Sequence, residues 1–158
     1  MADYAERARA EKAAAAARMG LDEPLIARLV AAFYGRVQGD AVLGPIFAAR
    51  VHDWTPHLAQ MTRFWTSIAV ASGGYHGTPM PKHIAITEIT SAHFVRWLGL
   101  WSATVDAVVP HPEAATFFKS RAANIAESLQ LGIATQRART ATLPPQAKDL
   151  CDVGRPCC

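Results

Sequence analysis

The residues of this chain with the widest chemical range are its six histidines. They are His52, His57, His76, His83, His93 and His111. No two are spaced i, i+4, so no helix presents the paired imidazoles of a metal site on one helix face. The chain also lacks the GxGxxG, GxxxxGK[ST], HExxH, CxxC and GxSxG motifs. Common phosphate-binding loops, zinc hydrolases and α/β-hydrolases therefore have no support.

His83 differs from the other histidines because its backbone is stiff. It follows the Pro-Met-Pro-Lys run at 79–82 and precedes the apolar Ile84. An imidazole held in this way suits an axial ligand of haem iron, which needs one neutral ring nitrogen directed at the metal. His76 and His93 compete for the same role. A solvated loop histidine is the simpler alternative.

Three other side chains combine an apolar position with a hydrogen-bonding group. His57 shares a helical stripe with large apolar residues, Tyr34 adjoins Phe33 on the inner side of a second stripe, and Trp97 lies inward on a third. Taken singly, each is an ordinary core residue whose polar atom finds a backbone partner. Only their combination would indicate a pocket.

The elements that must position these side chains are helices. Apolar residues recur at i, i+3 and i+4 in four segments with clear boundary signals. Asp22 caps the first, which Gly39 ends; Asp53 caps the second; Pro110 ends the third; and Pro112 opens the fourth. No run alternates with period two for long enough to form a sheet. The predicted fold class is all-α, either an up-down bundle or a globin-like sandwich.

The connection over residues 75–90 decides between these two arrangements. Gly77, Pro79 and Pro81 interrupt its helical pattern, so we predict an irregular segment. A connection of about 16 residues is usually functional, whereas a plain bundle prefers short turns. The globin-like sandwich is therefore the favoured prediction.

The chain divides into three regions. We predict an Ala-rich, helical extension over 1–20, a folded domain over 21–135 and a mobile tail over 136–158 that holds Cys151, Cys157 and Cys158. The domain carries 8 basic and 8 acidic residues, so the net charge of +3 comes from the two ends. We expect no nucleic-acid partner and no membrane span or secretory signal, and we predict a cytoplasmic protein.

An ordered set of short motifs resembles the group III truncated hemoglobins. In chain order the set is Phe33-Tyr34, Leu43-Gly44-Pro45-Ile46-Phe47, Asp53-Trp54-Thr55-Pro56-His57, Phe64-Trp65, Tyr75-His76-Gly77-Thr78-Pro79, His83 and His93-Phe94-Val95-Arg96-Trp97-Leu98. Each motif is weak by itself, and the resemblance rests on their order and spacing from about Leu21 to Leu131. The two ends of the chain lie outside it.

The resemblance implies a shortened globin, a two-over-two helical sandwich around haem b. In that family pattern His83 matches the proximal iron ligand, Tyr34 and His57 the distal polar residues, and Trp97 the indole that lines the distal pocket. By motif position and periodicity, the apolar walls are Phe33, Phe47, Met61 and Phe64. The candidates for contact with the haem propionates are Tyr75, Lys82 and Arg63, with solvated surface groups as the alternative.

Such a pocket predicts a function in ligand binding. The Tyr34 hydroxyl, the Trp97 indole and the His57 ring can each donate to a bound ligand, and one such bond to a charged acceptor contributes roughly 1.5–3 kcal/mol. We expect tight dioxygen binding and slow release, with nitric oxide and carbon monoxide as related ligands. This suits nitric oxide dioxygenation or peroxide reduction, supported by a separate reductase, better than bulk oxygen transport. We expect a monomer or a weak homodimer.

Two other functions stay open from the sequence. A helical sensor or interaction module could keep the globin shape without haem, although it would not need His83 together with the three distal residues. Alternatively, His57 could bind the iron as a second axial ligand, which would give an electron-transfer protein. The spectrum of the protein without added ligand separates these alternatives.

Overall fold

The computed structural model describes residues 2–70 and 75–142. These residues form helices and connections without a strand, which confirms the all-α prediction. The helices are α1 (Ala2–Arg18), α2 (Glu23–Gly39), α3 (Leu43–Ala48), α4 (Trp54–Val70), α5 (Pro79–Ile84), α6 (Ser91–Val108) and α7 (Pro112–Thr142). None of the helices in the described ranges is long and apolar enough to cross a membrane.

Helix α2 is the centre of the fold and packs against α3, α4 and α6. Its start agrees with the sequence, since the Asp22 carboxylate accepts a hydrogen bond of 2.9 Å from the Leu25 N–H. The predicted apolar stripe is buried along its whole length, at Leu25, Ile26, Leu29, Val30, Phe33 and Val37. Complete burial of one such side chain contributes about 1.5–3 kcal/mol, so this stripe anchors the molecule.

The buried apolar residues form two clusters. The main cluster joins α2 and α4 to the C-terminal half of α6 and the start of α7. The second cluster consists of Phe94, Ala126, Leu129 and Ile133, with Met80, Ile84 and Ile89 packed against it. Leu98 and Ile125 contact both clusters. The α5 helix thus belongs to the second cluster, while α2, α3 and α4 belong to the main one.

The expected irregularity of residues 75–90 was wrong over part of its length. Residues Pro79–Ile84 form α5, a helix of six residues. Both Pro79 and Pro81 fall within its first turn, where the backbone N–H groups have no partner in the helix. A proline costs little at these positions, and the same residues that suggested a break instead begin a helix.

The C-terminal end of the domain also differs from expectation. Helix α7 continues to Thr142, beyond the predicted boundary at 135. Arg, Ala and Gln favour helix without an apolar stripe, so periodicity missed this extension. Helix α1 is followed by a left-handed Gly20 (φ +65°), and Ala16 near the end of the helix is buried in the main cluster. Residues 143–158, with their predicted mobility and three cysteines, lie outside the described residues, as do Gly73 and Gly74.

Candidate functional site

Tyr34 and His57 meet between α2 and α4. Their ring centroids are 5.0 Å apart in an edge-to-face arrangement. Tyr34 is buried, and this burial raises the pKa of its hydroxyl well above the usual value. The hydroxyl therefore keeps its proton across the neutral range. It is a permanent hydrogen-bond donor at this position.

The His57 imidazole has an unsatisfied nitrogen. Its Nε2 atom is buried and has no hydrogen-bond partner in the part of the chain that the structure describes. Desolvation, and then the positive charge of Lys82, lower the pKa of His57. The imidazole is therefore neutral near pH 7, and its own Nε2 atom still needs a hydrogen-bond partner. An orphaned buried nitrogen of this kind points to a ligand that the protein binds.

Aromatic rings surround this pair. Phe47 of α3 lies 5.8 Å from Tyr34, centroid to centroid. Trp54, which belongs to the same motif as His57 but is not among the predicted site residues, lies 5.7 Å from Tyr34 and 5.5 Å from His57. Its position three residues before His57 on the same stripe was the available signal. Phe47 and Trp54 are half-buried.

Trp97 approaches the same region from α6. It is half-buried and its ring lies 5.5 Å from that of Phe33. Phe33 itself is only 1% exposed and also contacts Tyr34 and Trp101. Phe33 therefore packs against Tyr34 and Trp97 from the core side and has almost no exposed area with which to contact a ligand. The sequence had placed it with the pocket walls.

The remaining predicted site residues differ in how far they are exposed to solvent. Met61 and Phe64 are half-buried and pack against the main cluster. The Phe64 ring lies 5.0 Å from that of Tyr75, which brings the start of the 75–78 segment against α4. Arg63 and Lys82 are exposed. The positive charge of Lys82 contributes to the lowered pKa of His57.

His83 is oriented by its own helix. Its Nδ1 atom lies 2.7 Å from the Pro79 carbonyl oxygen, which can only accept, so Nδ1 carries the proton and donates. The lone pair of Nε2 is then available for a metal. The two competing histidines differ in this respect. His93 Nδ1 accepts a 2.9 Å hydrogen bond from the Thr90 N–H at the start of α6, and His76 is exposed on the 75–78 segment.

Together these residues fit a haem. His83 on α5 donates from Nδ1 to the Pro79 carbonyl, which leaves its Nε2 available to a metal, and half-buried apolar side chains lie on α3 and α4. The buried Nε2 of His57 supplies an unsatisfied polar atom on the side where a small ligand would bind. Iron in haem needs one protein nitrogen, and His83 Nε2 is available for that bond.

Comparison with known proteins gives two matches. No protein-family model matches the chain. The group 3 truncated hemoglobin ctb of Campylobacter jejuni is 30% identical over 114 residues, which are 70% of this chain and 89% of that protein. The crystal structure of group III truncated hemoglobin from the same organism superimposes with a TM-score of 0.67 at 29% identity. The superposition covers 71% of this chain and 91% of the Campylobacter chain.

Proposed function

This chain belongs to the group III truncated hemoglobins, and we propose that it uses haem b to bind dioxygen and related diatomic ligands such as nitric oxide and carbon monoxide. In this proposal the haem lies between α4, which carries His57, and α5, which carries His83. When bound, it supplies an iron ion that takes up the ligand and exchanges electrons with it. The protein residues anchor the cofactor, exclude water and donate hydrogen bonds.

The observation that carries this proposal is the orientation of His83. Its Nδ1 proton is committed to the Pro79 carbonyl at 2.7 Å, which fixes the tautomer and leaves Nε2 free to bind iron. Neither His93, whose Nδ1 accepts a bond from Thr90, nor the exposed His76 offers the same arrangement. His83 is therefore our proposed proximal ligand.

On the distal side, the proposal assigns hydrogen bonding to three residues. The buried Tyr34 hydroxyl keeps its proton and donates it toward the ligand. The His57 ring, neutral and with an unsatisfied Nε2, is the second partner, and the Trp97 indole N–H is the third. Hydrogen bonds from buried donors favour ligands that carry negative charge, so the pocket retains them and slows their release.

The remaining site residues have supporting roles in the proposal. Phe47, Met61 and Phe64 form the apolar walls, with Phe33 behind them, and these side chains keep water away from the cofactor. Tyr75, which packs on Phe64, lies on the side assigned to the propionates, as does the exposed Lys82. A cation near a propionate would add only a small, salt-dependent stabilisation.

The finer function that we propose is redox chemistry on the retained ligand, as a nitric oxide dioxygenase or a peroxidase. Slow release gives a second reactant time to reach the bound one, which favours conversion over transport. Either reaction requires electrons from a separate reductase, a partner that we infer from the chemistry. Activity assays with nitric oxide and with hydrogen peroxide decide between the two substrates.

Absorption spectroscopy of the purified protein tests haem binding. We expect a Soret band that shifts when carbon monoxide is added to the dithionite-reduced protein. His83→Ala should lose the haem or change its ligation, whereas His76→Ala and His93→Ala should keep the wild-type spectrum.

Three results would contradict parts of the proposal. Failure of the wild-type protein to bind added haem at stoichiometry would favour a haem-free module. A five-coordinate histidine spectrum in His83→Ala would move the proximal role to another histidine. A low-spin ferrous spectrum before carbon monoxide is added would make His57 a second iron ligand, in line with its unsatisfied Nε2.

A further inference from the structure

The segment that follows α5 is held by a side chain from the far end of α7. Arg137 Nη2 donates one hydrogen bond of 3.1 Å to the Thr87 carbonyl and one of 2.8 Å to the Ile89 carbonyl. These carbonyls lie in the irregular stretch between α5 and α6, where the backbone oxygens need donors from elsewhere. One guanidinium group satisfies both of them.

The same segment is held by apolar contacts on its inner side. Met80, Ile84 and Ile89 pack against the second cluster, which α6 and α7 build. Met80 lies so close to α7 that a Cβ atom on Gly132 would overlap its sulfur. The α5 helix and the segment after it are thus attached to α7 at two places. Met80 near the start of α5 packs against Gly132, and Arg137 bonds the carbonyls that follow the end of α5.

A second arginine contacts the segment from the other direction. Arg50, just after α3, pairs with Glu88 at 2.7 Å and also donates to the Ile46 carbonyl at 3.1 Å. Both partners of this ion pair are substantially exposed, and exposed pairs contribute little. Two arginines therefore hold the segment: Arg137 of α7 bonds its backbone carbonyls, and Arg50 pairs with its Glu88 side chain.

These contacts matter for His83 because α5 is short. A helix of six residues does not keep its position by its own hydrogen bonds, so its neighbours determine where it lies. Within α5, the Pro79 carbonyl fixes the rotation of the imidazole. The position of the whole helix depends on the connections at its two ends, and the His83 carbonyl accepts the Ile86 N–H at 3.0 Å at the start of the segment that Arg137 holds.

We propose that Arg137 is a positioning residue for His83. By holding the segment after α5, Arg137 determines the orientation in which the proximal imidazole would bind the iron. The inference rests on the proposed function, since it assumes that His83 binds haem iron. It assigns a role at the haem to the part of α7 beyond residue 135. Removal of groups that orient a metal ligand typically weakens metal binding about 10- to 100-fold.

The test uses the full-length haem protein and the variant Arg137→Gln, with Arg139→Gln on the same exposed part of α7 as the matched control. Both changes remove one charge and retain a good helix former. We expect Arg137→Gln to lose haem to excess apomyoglobin about tenfold faster than the wild type. We also expect its ferrous iron–histidine stretching band in the resonance Raman spectrum to shift or broaden. Arg139→Gln should behave as the wild type.

The outcomes separate this inference from the proposed function. Wild-type haem binding with equal haem loss and an equal iron–histidine band in both variants would overturn the role of Arg137 alone. A lower melting temperature in Arg137→Gln without a change in the band would show a merely structural role and would also overturn it. A wild-type chain that binds no haem would overturn the proposed function, and this inference with it.

Discussion

At the scale of single residues, the Tyr34 hydroxyl offers the sharpest test of the distal side. Its burial raises its pKa, so the hydroxyl donates at any pH near neutrality. Tyr34→Phe removes one oxygen atom and leaves the ring in contact with His57 and Phe47. Loss of a hydrogen bond worth about 1.5–3 kcal/mol should speed dioxygen dissociation roughly 10- to 150-fold. Stopped-flow displacement of dioxygen by carbon monoxide measures this rate.

The chain contains a matched control for that change. Tyr4 on α1 is 82% exposed, so Tyr4→Phe removes a hydroxyl that is far from any buried pocket. Its dissociation rate should equal that of the wild type. An unchanged rate in Tyr34→Phe would show that this hydroxyl does not reach the ligand, and the distal donors would then be His57 and Trp97 alone.

Sequence could narrow the candidate residues but could not assign their hydrogen bonds. His76, His83 and His93 competed for the proximal role because each adjoins the same connection. What separates them is which ring nitrogen already has a partner, and this depends on the path of the backbone. The turn of α5 brings the Pro79 carbonyl to His83, and the cap of α6 brings the Thr90 N–H to His93.

Long-range contacts were outside the reach of sequence patterns. Arg137 acts on carbonyls 48 and 50 residues earlier in the chain, and nothing in its local sequence distinguishes it from Arg139. Residues from Gln136 onward have no apolar period, so the sequence predicts a mobile tail that includes Arg137. Only the packing of α5 against α7 shows which of the two arginines has partners.

At the scale of helices, Gly44 allows the start of α3 to lie close to the end of α2, because it has no Cβ atom. A Cβ atom at this position would lie 2.9 Å from the backbone oxygen of Gln38, which cannot move without disturbing the end of α2. We expect Gly44→Ala to lower the free energy of unfolding by about 1–3 kcal/mol, as overpacking usually does. Urea denaturation of the haem-free protein measures the change.

Gly99 on α6 gives the opposite expectation for the same substitution. It is exposed, and a Cβ atom there would meet no other atom within 4 Å. Gly99→Ala should therefore raise the free energy of unfolding by about 0.5–1 kcal/mol, because alanine loses less backbone entropy in a helix. If both substitutions changed the free energy of unfolding equally, the close approach of residue 44 to the Gln38 carbonyl would not be what makes glycine necessary there.

The helices that sequence identified best are those with both a cap and a buried stripe. Asp22 and the stripe of α2 are one example, and Asp53 at the start of α4 is another, since its carboxylate accepts the Thr55 N–H at 3.0 Å. The missed helical segments, α5 and the end of α7, lack one or both signals. In α5 the prolines indicated a break, although they occupy the only turn that tolerates them.

At the scale of the whole molecule, the two clusters of the core correspond to the two sides of the proposed haem site, distal and proximal. Tyr34 and the α4 stripe belong to the main cluster, whereas Met80 and Ile84 of α5 pack on the second. The main cluster contains the fully buried stripe of α2 and the stacked Trp65 and Trp101 rings, 4.5 Å apart. The second is smaller, and among the described residues it shares Leu98 and Ile125 with the main cluster. Without haem, α5 thus has the weaker support.

Haem binding should consequently stabilise the molecule unevenly. A ligand present at a thousandfold excess over its Kd contributes about 4 kcal/mol, or roughly 8–16 °C in Tm for a chain of this size. In hydrogen exchange, the gain in protection should be largest in α5 and the start of α6, and small in α2, which is already buried in the main cluster. His83→Ala should show neither effect, because the link between α5 and the cofactor is lost. A rise in Tm with equal protection of α2 and α5 would instead mean that the two clusters unfold as one unit and that α5 gains no special support from haem.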